Sequence, residues 1–212
     1  MPRSTTDSGV HSVGELFARR EGPGRALAFD AGAVAFACHA IAARLHRGGK
    51  LLAFGMGTVA TDAQHIAVEF VHPVIMGKRA LPALSLTNDV ATVTGLLADG
   101  GAEVFAHQVT HLGRPEDVAL GVSTDGRCAA VRRGLEVAHE RGLLTVALVG
   151  DDSGPTGTDS IADSPDVDHA LPARSDDPRV VKEVHVTIYH VLWELVHVFL
   201  EQPGLLAPEV IR

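Results

Sequence analysis

The chain has 212 residues, of which 46% are hydrophobic and 21% charged, a balance that fits a soluble globular protein with one substantial core. Its formal net charge of −8 argues against a general binder of nucleic-acid backbone or of anionic membranes, though not against a protein partner. Two cysteines, Cys38 and Cys128, follow no metal spacing and predict no disulfide framework, and the polar N-terminus "MPRSTTDSGVHS" lacks a secretory core, so the cytoplasm is expected.

Only 4% of residues are aromatic, so the interior is built mainly from Ala, Val, Leu and Ile. Two helical segments come first, "HSVGELFARR" and "DAGAVAFACHAIAARLHRG", with "EGPG" expected to break them. Strand-like runs then alternate with helical patterns. "KLLAFG" (50–55) precedes a helix at about 61–72, and "ALPALSL" (80–86) precedes "DVATVTGLLADG" and "AEVFAHQVTHLG". "EDVALGVS" (116–123) leads into "CAAVRRGLEVAHERG", and "LLTVALVG" (143–150) into a polar loop at about 151–166, the segment expected to be most mobile. "VDHALPA" and the long helix "DPRVVKEVHVTIYHVLWELVHVFLEQ" close the chain. Strands separated by helices imply a parallel sheet covered on both faces, an α/β fold of three layers.

In such sheets ligands gather beyond the C-terminal strand ends, which here means the turns at 55–62, 87–89 and 123–128. "STDGRC" (123–128) passes from an apolar strand into a helix, whose free amides and macrodipole favour an anion. Asp125 opposes that reading, because a carboxylate in the turn can cap the helix itself and would repel a phosphate. His65 and Glu69 are four residues apart, on one helical face, where one can orient the other or both can bind a metal; the bland reading is a surface contact. The closing helix adds His185, His190 and His197, and for His185 and His197 the expectation is a hydrogen-bonded core histidine.

"LLAFGMGTVATDAQHIAVEF", "LPALSLTNDVATVTGLLAD", "LGRPEDVALGVSTDGR" and "KEVHVTIYHVLWEL" together resemble the sugar-isomerase (SIS) domain, and within it the sedoheptulose 7-phosphate (phosphoheptose) isomerase branch. The resemblance implies a central parallel five-stranded sheet in an αβα sandwich. It places an N-terminal segment with a short helix at 1–24, the SIS domain at 25–202 and a tail at 203–212, the N-terminal helices serving oligomerisation. It further implies a metal site of His65, Glu69 and His190 for a divalent ion, zinc by analogy, with Glu69 and His190 as the acid/base pair of an aldose–ketose isomerisation through an enediol.

Substrate contacts are carried over to Gly55, Met56, Gly57, Thr58, Asp89, Ser123, Thr124, Asp125, Arg127, Cys128 and Lys182. Asp99 is a further retained acid, whose family counterpart lies near the sugar or the subunit interface. Lys182 stands where the branch has a metal-binding Gln. It leaves either a three-ligand metal site or an ammonium that replaces the metal and pairs with Glu69. "GMGTV" and "STDGRC" both depart from the branch's phosphate loops, and Arg127 could compensate by offering a bidentate fork. A different class stays open, a non-catalytic SIS oligomer acting as an interaction platform or a metal-binding accessory. The apolar faces of "AVAFACHAIAARL" and "VTIYHVLWELVHVFL" exceed what one sheet face buries, so a homo-oligomer is expected, and the resemblance implies a tetramer.

Overall fold

The structure, a computed structural model, describes residues 13–98, 100–150 and 160–206. Asp99, most of the expected loop at 151–166 and the tail from 207 lie outside the described residues. The elements run α1 (Val13–Phe29), α2 (Ala31–His46), β1 (Leu51–Gly55), α3 (Ala60–Val71), β2 (Ala83–Ser85), α4 (Val90–Ala98), α5 (Val104–Leu112), β3 (Val118–Ser123), α6 (Ala129–Glu140), β4 (Leu144–Gly150), β5 (His169–Ala173) and α7 (Pro178–Glu201). The five strands are parallel in the order β2-β1-β3-β4-β5.

Strand alternation divides the core in two. Leu51 and Ala53 of β1, Val118, Leu120 and Val122 of β3, and Leu144, Val146 and Leu148 of β4 face the cluster formed with α2, α3 and α7. Leu52, Phe54, Ala119, Ala147 and Val149 face the cluster formed with α5 and α6. The central strands are buried along their whole length, as continuous apolar runs in a parallel sheet require. Pro172 is tolerated in β5 because that strand is an edge.

Two expected boundaries move. "EGPG" does not break the first helix, since Pro23 lies inside α1. Tertiary contacts on both sides override the local preference: Arg20 forms a two-bond ion pair with Glu183 of α7 and Leu27 packs against the core, while within the helix Arg25 reaches back across the proline to Glu21 at 3.2 Å. The second strand is shorter than 80–86, because Leu81 donates its amide to Phe70 at the end of α3 (2.7 Å) and Pro82 has none to give the ladder. No single helix among the described residues is long and apolar enough to cross a membrane.

Helix α7 starts on Asp177, whose carboxylate accepts from the Arg179 amide and is held by the Arg179 side chain, which brings its pKa down to about 2. His197 behaves as expected, its ring nitrogens 2.9 and 3.0 Å from the carbonyls of Trp193 and Arg79. His185 does not. It is fully buried, and neither ring nitrogen makes a well-formed hydrogen bond among the described residues, because the helix carries the ring under β4 rather than toward a loop.

Burial pushes the His185 pKa below 6.5, against the pull of the Val149 carbonyl and Asp62, with Lys182 adding to the depression. A base that stays neutral when folded costs nothing above its unfolded pKa, so its contribution to stability is lost as pH falls from about 6.5 toward the lower folded value. His185→Leu is therefore expected to flatten this part of the acid limb. Melting temperatures followed from pH 7.5 to 5 in both proteins check it, and identical pH slopes would refute it.

Candidate active site

The site is built on the two connections that leave neighbouring strands β1 and β3. After β1 the chain passes Gly55 and Met56 and enters a single 3₁₀ turn, Gly57–Val59, before α3. Gly57 has φ +68°, a left-handed conformation that side chains other than those of Gly and Asn rarely adopt. The turn aims α3 so that Asp62, His65 and Glu69 form one stripe, at i, i+3 and i+7.

Helix α7 crosses this stripe. Glu69 is buried, and its Oε1 lies 3.1 Å from His65 Nε2 and 3.9 Å from His190 Nε2. The Tyr189 hydroxyl lies 2.7 Å from His65 Nδ1. The rings of His65, Tyr189 and His190 stand edge to face, with centroids 4.9 to 5.2 Å apart. Burial, with the charges of Asp62 and Glu69, raises the Tyr189 pKa and keeps the phenol neutral. Both histidines are half-exposed while Glu69 is covered, so the carboxylate forms the floor of the cluster and the imidazoles its rim.

Among the described residues, His65, Glu69 and His190 are the one group of three whose metal-ligating atoms converge, all within 4.8 Å of one another. Two imidazoles and a carboxylate are the donor set of many catalytic zinc sites. Bonds of about 2.0–2.2 Å place tetrahedral ligand atoms roughly 3.4 Å apart, so small side-chain shifts suffice. An outer hydrogen bond to the far nitrogen of a ligating histidine is also usual, and Tyr189 supplies it. The residues fit the ion.

Lys182 does not pair with Glu69, which corrects one of the two sequence expectations. Its ammonium lies 2.6 Å from Asp62 Oδ2 and donates also to Thr61 Oγ1 (3.2 Å) and the Thr58 carbonyl (3.3 Å). The reason is reach: Lys182 sits two turns before His190 on α7, opposite the start of α3 rather than its middle. The lysine thereby ties α7 to the turn containing Thr58.

The turn after β3 is closed on itself. Asp125 Oδ1 accepts from Ser123 Oγ (2.9 Å) and the Arg127 amide (3.0 Å), and the Cys128 amide donates to Ser123 Oγ (3.3 Å). Burial works to raise the Asp125 pKa, but the Arg127 amide, the Ser123 hydroxyl and the nearby guanidinium outweigh it and leave the carboxyl below its ordinary value. Gly126, at φ +66°, makes the bend, and Thr124 precedes it. The carboxylate thus takes up polar hydrogens that an anion in this turn would use. Arg127 and Cys128 are half-buried at the mouth of α6.

Asp89 stands apart from the triad. It caps α4, accepting from the amides of Ala91 and Thr92 and from the Thr92 hydroxyl, which lowers its pKa. It lines a cleft of about 580 Å³ with Ser85, Asn88, His107 and His111, and neither His65, Glu69 nor His190 borders that cleft.

Two residues escaped the sequence reading. Asp62 could have been found, since it continues the His65 and Glu69 stripe by one turn. Tyr189 carried no signal, because adjacent helical residues point about 100° apart and only the crossing of α3 and α7 brings it to His65.

The chain is similar to known proteins over most of its length. The SIS domain family model matches residues 25–150. The phosphoheptose isomerase of a Roseiflexus species is 43% identical over 71% of this chain and 73% of its own, and that of Geobacter sulfurreducens is 40% identical over 78% and 85%. The structure of a phosphoheptose isomerase from Francisella tularensis superposes with a TM-score of 0.79 at 28% identity, covering 88% of this chain and 96% of that one. The corresponding Neisseria gonorrhoeae enzyme gives 0.76 at 30% identity, covering 87% and 96%. With this extent of shared sequence and fold, the chain belongs to the SIS-domain family and, within it, to the phosphoheptose isomerases.

Proposed function

We propose that the protein is an aldose–ketose isomerase of a phosphosugar, sedoheptulose 7-phosphate or a close open-chain relative, and that His65, Glu69 and His190 are its reaction centre. The observation that carries the reading is the meeting of the Glu69 carboxylate with two imidazoles where α7 crosses α3. Glu69, ionised, takes the proton from the carbon next to the carbonyl and returns it to the neighbouring carbon. His190 moves the matching proton between the two oxygens, which balances the shift from ketose to aldose. The covered position of Glu69 excludes bulk water from the carbon-bound proton.

His65, Glu69 and His190 would also hold a divalent ion, zinc by donor type, with a fourth position open to the sugar oxygens. When bound, it would supply Lewis-acid polarisation of those oxygens. Lys182, engaged with Asp62, then acts by fixing the first turn rather than as a ligand.

Gly55, Met56, Gly57 and Thr58 would border the sugar chain, with Ser123, Thr124, Arg127 and Cys128 on the adjoining turn; Asp89 belongs to this surface only if a second subunit closes it. Since Asp125 occupies the polar hydrogens after β3, the phosphate is expected to bind higher on this turn, toward Arg127. The test is proton NMR of sedoheptulose 7-phosphate with protein and zinc in deuterated water. Loss of hydrogen at the carbons beside the carbonyl supports the reading, and its absence in folded, zinc-supplied protein counts against this substrate.

The same proposal includes the cytoplasm as location, residues 25–202 as the SIS unit, and a homotetramer built on the N-terminal helices. Phe17, Phe29 and Phe36 lie exposed there, and an apolar groove between α1, α2 and α7 is lined by Leu27, Val34, Ile188 and Leu195. Light scattering of the purified protein is expected to give four chain masses of 22.2 kDa; a stable monomer would refute the assembly.

A further inference from the structure

The geometry points to Tyr189 as a positioning residue that lets His65 exchange one neutral tautomer for the other, by reversing the direction of a single hydrogen bond. The inference rests on the metal reading of the site and extends it to a residue outside the donor set.

A neutral imidazole carries one proton, and an ionised carboxylate only accepts. With His65 Nε2 3.1 Å from Glu69 Oε1, the proton of the metal-free ring belongs on Nε2, which donates to Glu69. Nδ1 is then an acceptor, and the Tyr189 hydroxyl at 2.7 Å must donate to it. Ligation reverses every role: Nε2 must present its lone pair, the proton must sit on Nδ1, and Tyr189 must accept.

A backbone carbonyl or a carboxylate beside Nδ1 could serve only the second arrangement. A hydroxyl, donor and acceptor in one atom, serves both. The ring gives up one proton from Nε2 to solvent and takes one from solvent at Nδ1, so His65 changes no net charge. The edge-on packing of His65, Tyr189 and His190 holds the ring orientation while the proton moves.

The experiment is a two-bond proton–nitrogen correlation spectrum of ¹⁵N-labelled protein, chelator-treated and then zinc-loaded, with zinc affinity measured by chelator competition. The wild type is expected to show His65 as the Nε2–H tautomer without metal and Nδ1–H with zinc. Tyr189→Phe, which keeps the ring, is expected to keep Nε2–H without metal, because Glu69 still accepts there, and to bind zinc about 10- to 100-fold more weakly, because Nδ1–H then has no acceptor. Tyr189→Phe with wild-type affinity would overturn the inference while leaving the metal reading intact. A metal-free wild-type ring that carries its proton on Nδ1, or protons on both nitrogens, would overturn it equally. A wild type that does not bind zinc would remove the metal reading itself and this inference with it.

Discussion

Replacing Glu69 by Gln is expected to lower hydrogen exchange at the carbons beside the sugar carbonyl by roughly 10²- to 10⁴-fold, the usual contribution of a positioned general base. The amide keeps the shape of the carboxylate and can still accept through its oxygen from His65, so packing against α7 should survive. What disappears is the negative charge that takes the proton and anchors the two imidazoles. Because the residue is buried, little water can substitute for it. NMR exchange rates in deuterated water, with melting curves as the control for folding, decide the matter. A folded Glu69→Gln protein exchanging at the wild-type rate would exclude Glu69 as the base.

The second large effect is expected from Gly150→Ala at the end of β4. A Cβ built there would lie 1.8 Å from the Thr124 carbonyl oxygen and 2.8 Å from its carbon, both backbone atoms of the turn after β3. Neither strand can retreat easily: β4 is paired with β3 on one side and with β5 on the other, where Gly150 lies opposite Ala173. Overpacking costs about 1–3 kcal/mol, and a backbone clash belongs at the upper end. For a chain of this size that corresponds to a melting temperature lower by roughly 6–12 °C. The relief comes at the Ser123–Cys128 turn, so substrate affinity is expected to fall more than the residual stability loss would explain. Thermal unfolding together with KM would test both parts, and an unchanged melting point would mean that the turn yields freely.

The order of strands and helices was legible because β1, β3 and β4 are buried on both faces, so their sequences are unbroken apolar runs bounded by glycine turns. The His65 and Glu69 pair was legible because helical spacing places i and i+4 together whatever the rest of the chain does. The partners that come from elsewhere were not. Whether Lys182 meets Glu69 or Asp62 depends on how far along α3 the last helix crosses, a tertiary quantity with no local pattern. "EGPG" misled because a proline's local cost competes with contacts from far along the chain, the packing of Leu27 on the core and the pair between Arg20 and a residue 163 positions away. The self-capped turn was half visible: Asp125 announced a competing carboxylate, but its hold on Ser123 and Arg127 needed coordinates.

Helix α7 is the last major element of the chain, yet it packs against α2, near the beginning, and carries His190 to a carboxylate on α3. A chain is made from its N-terminus, so α7 emerges after every strand of the sheet. Synthesis can therefore finish the sheet while the proposed reaction centre still lacks one of its two imidazoles and the tyrosine beside them. A chain cut short before residue 190 would lack the proposed reaction centre, however much of the sheet it retained.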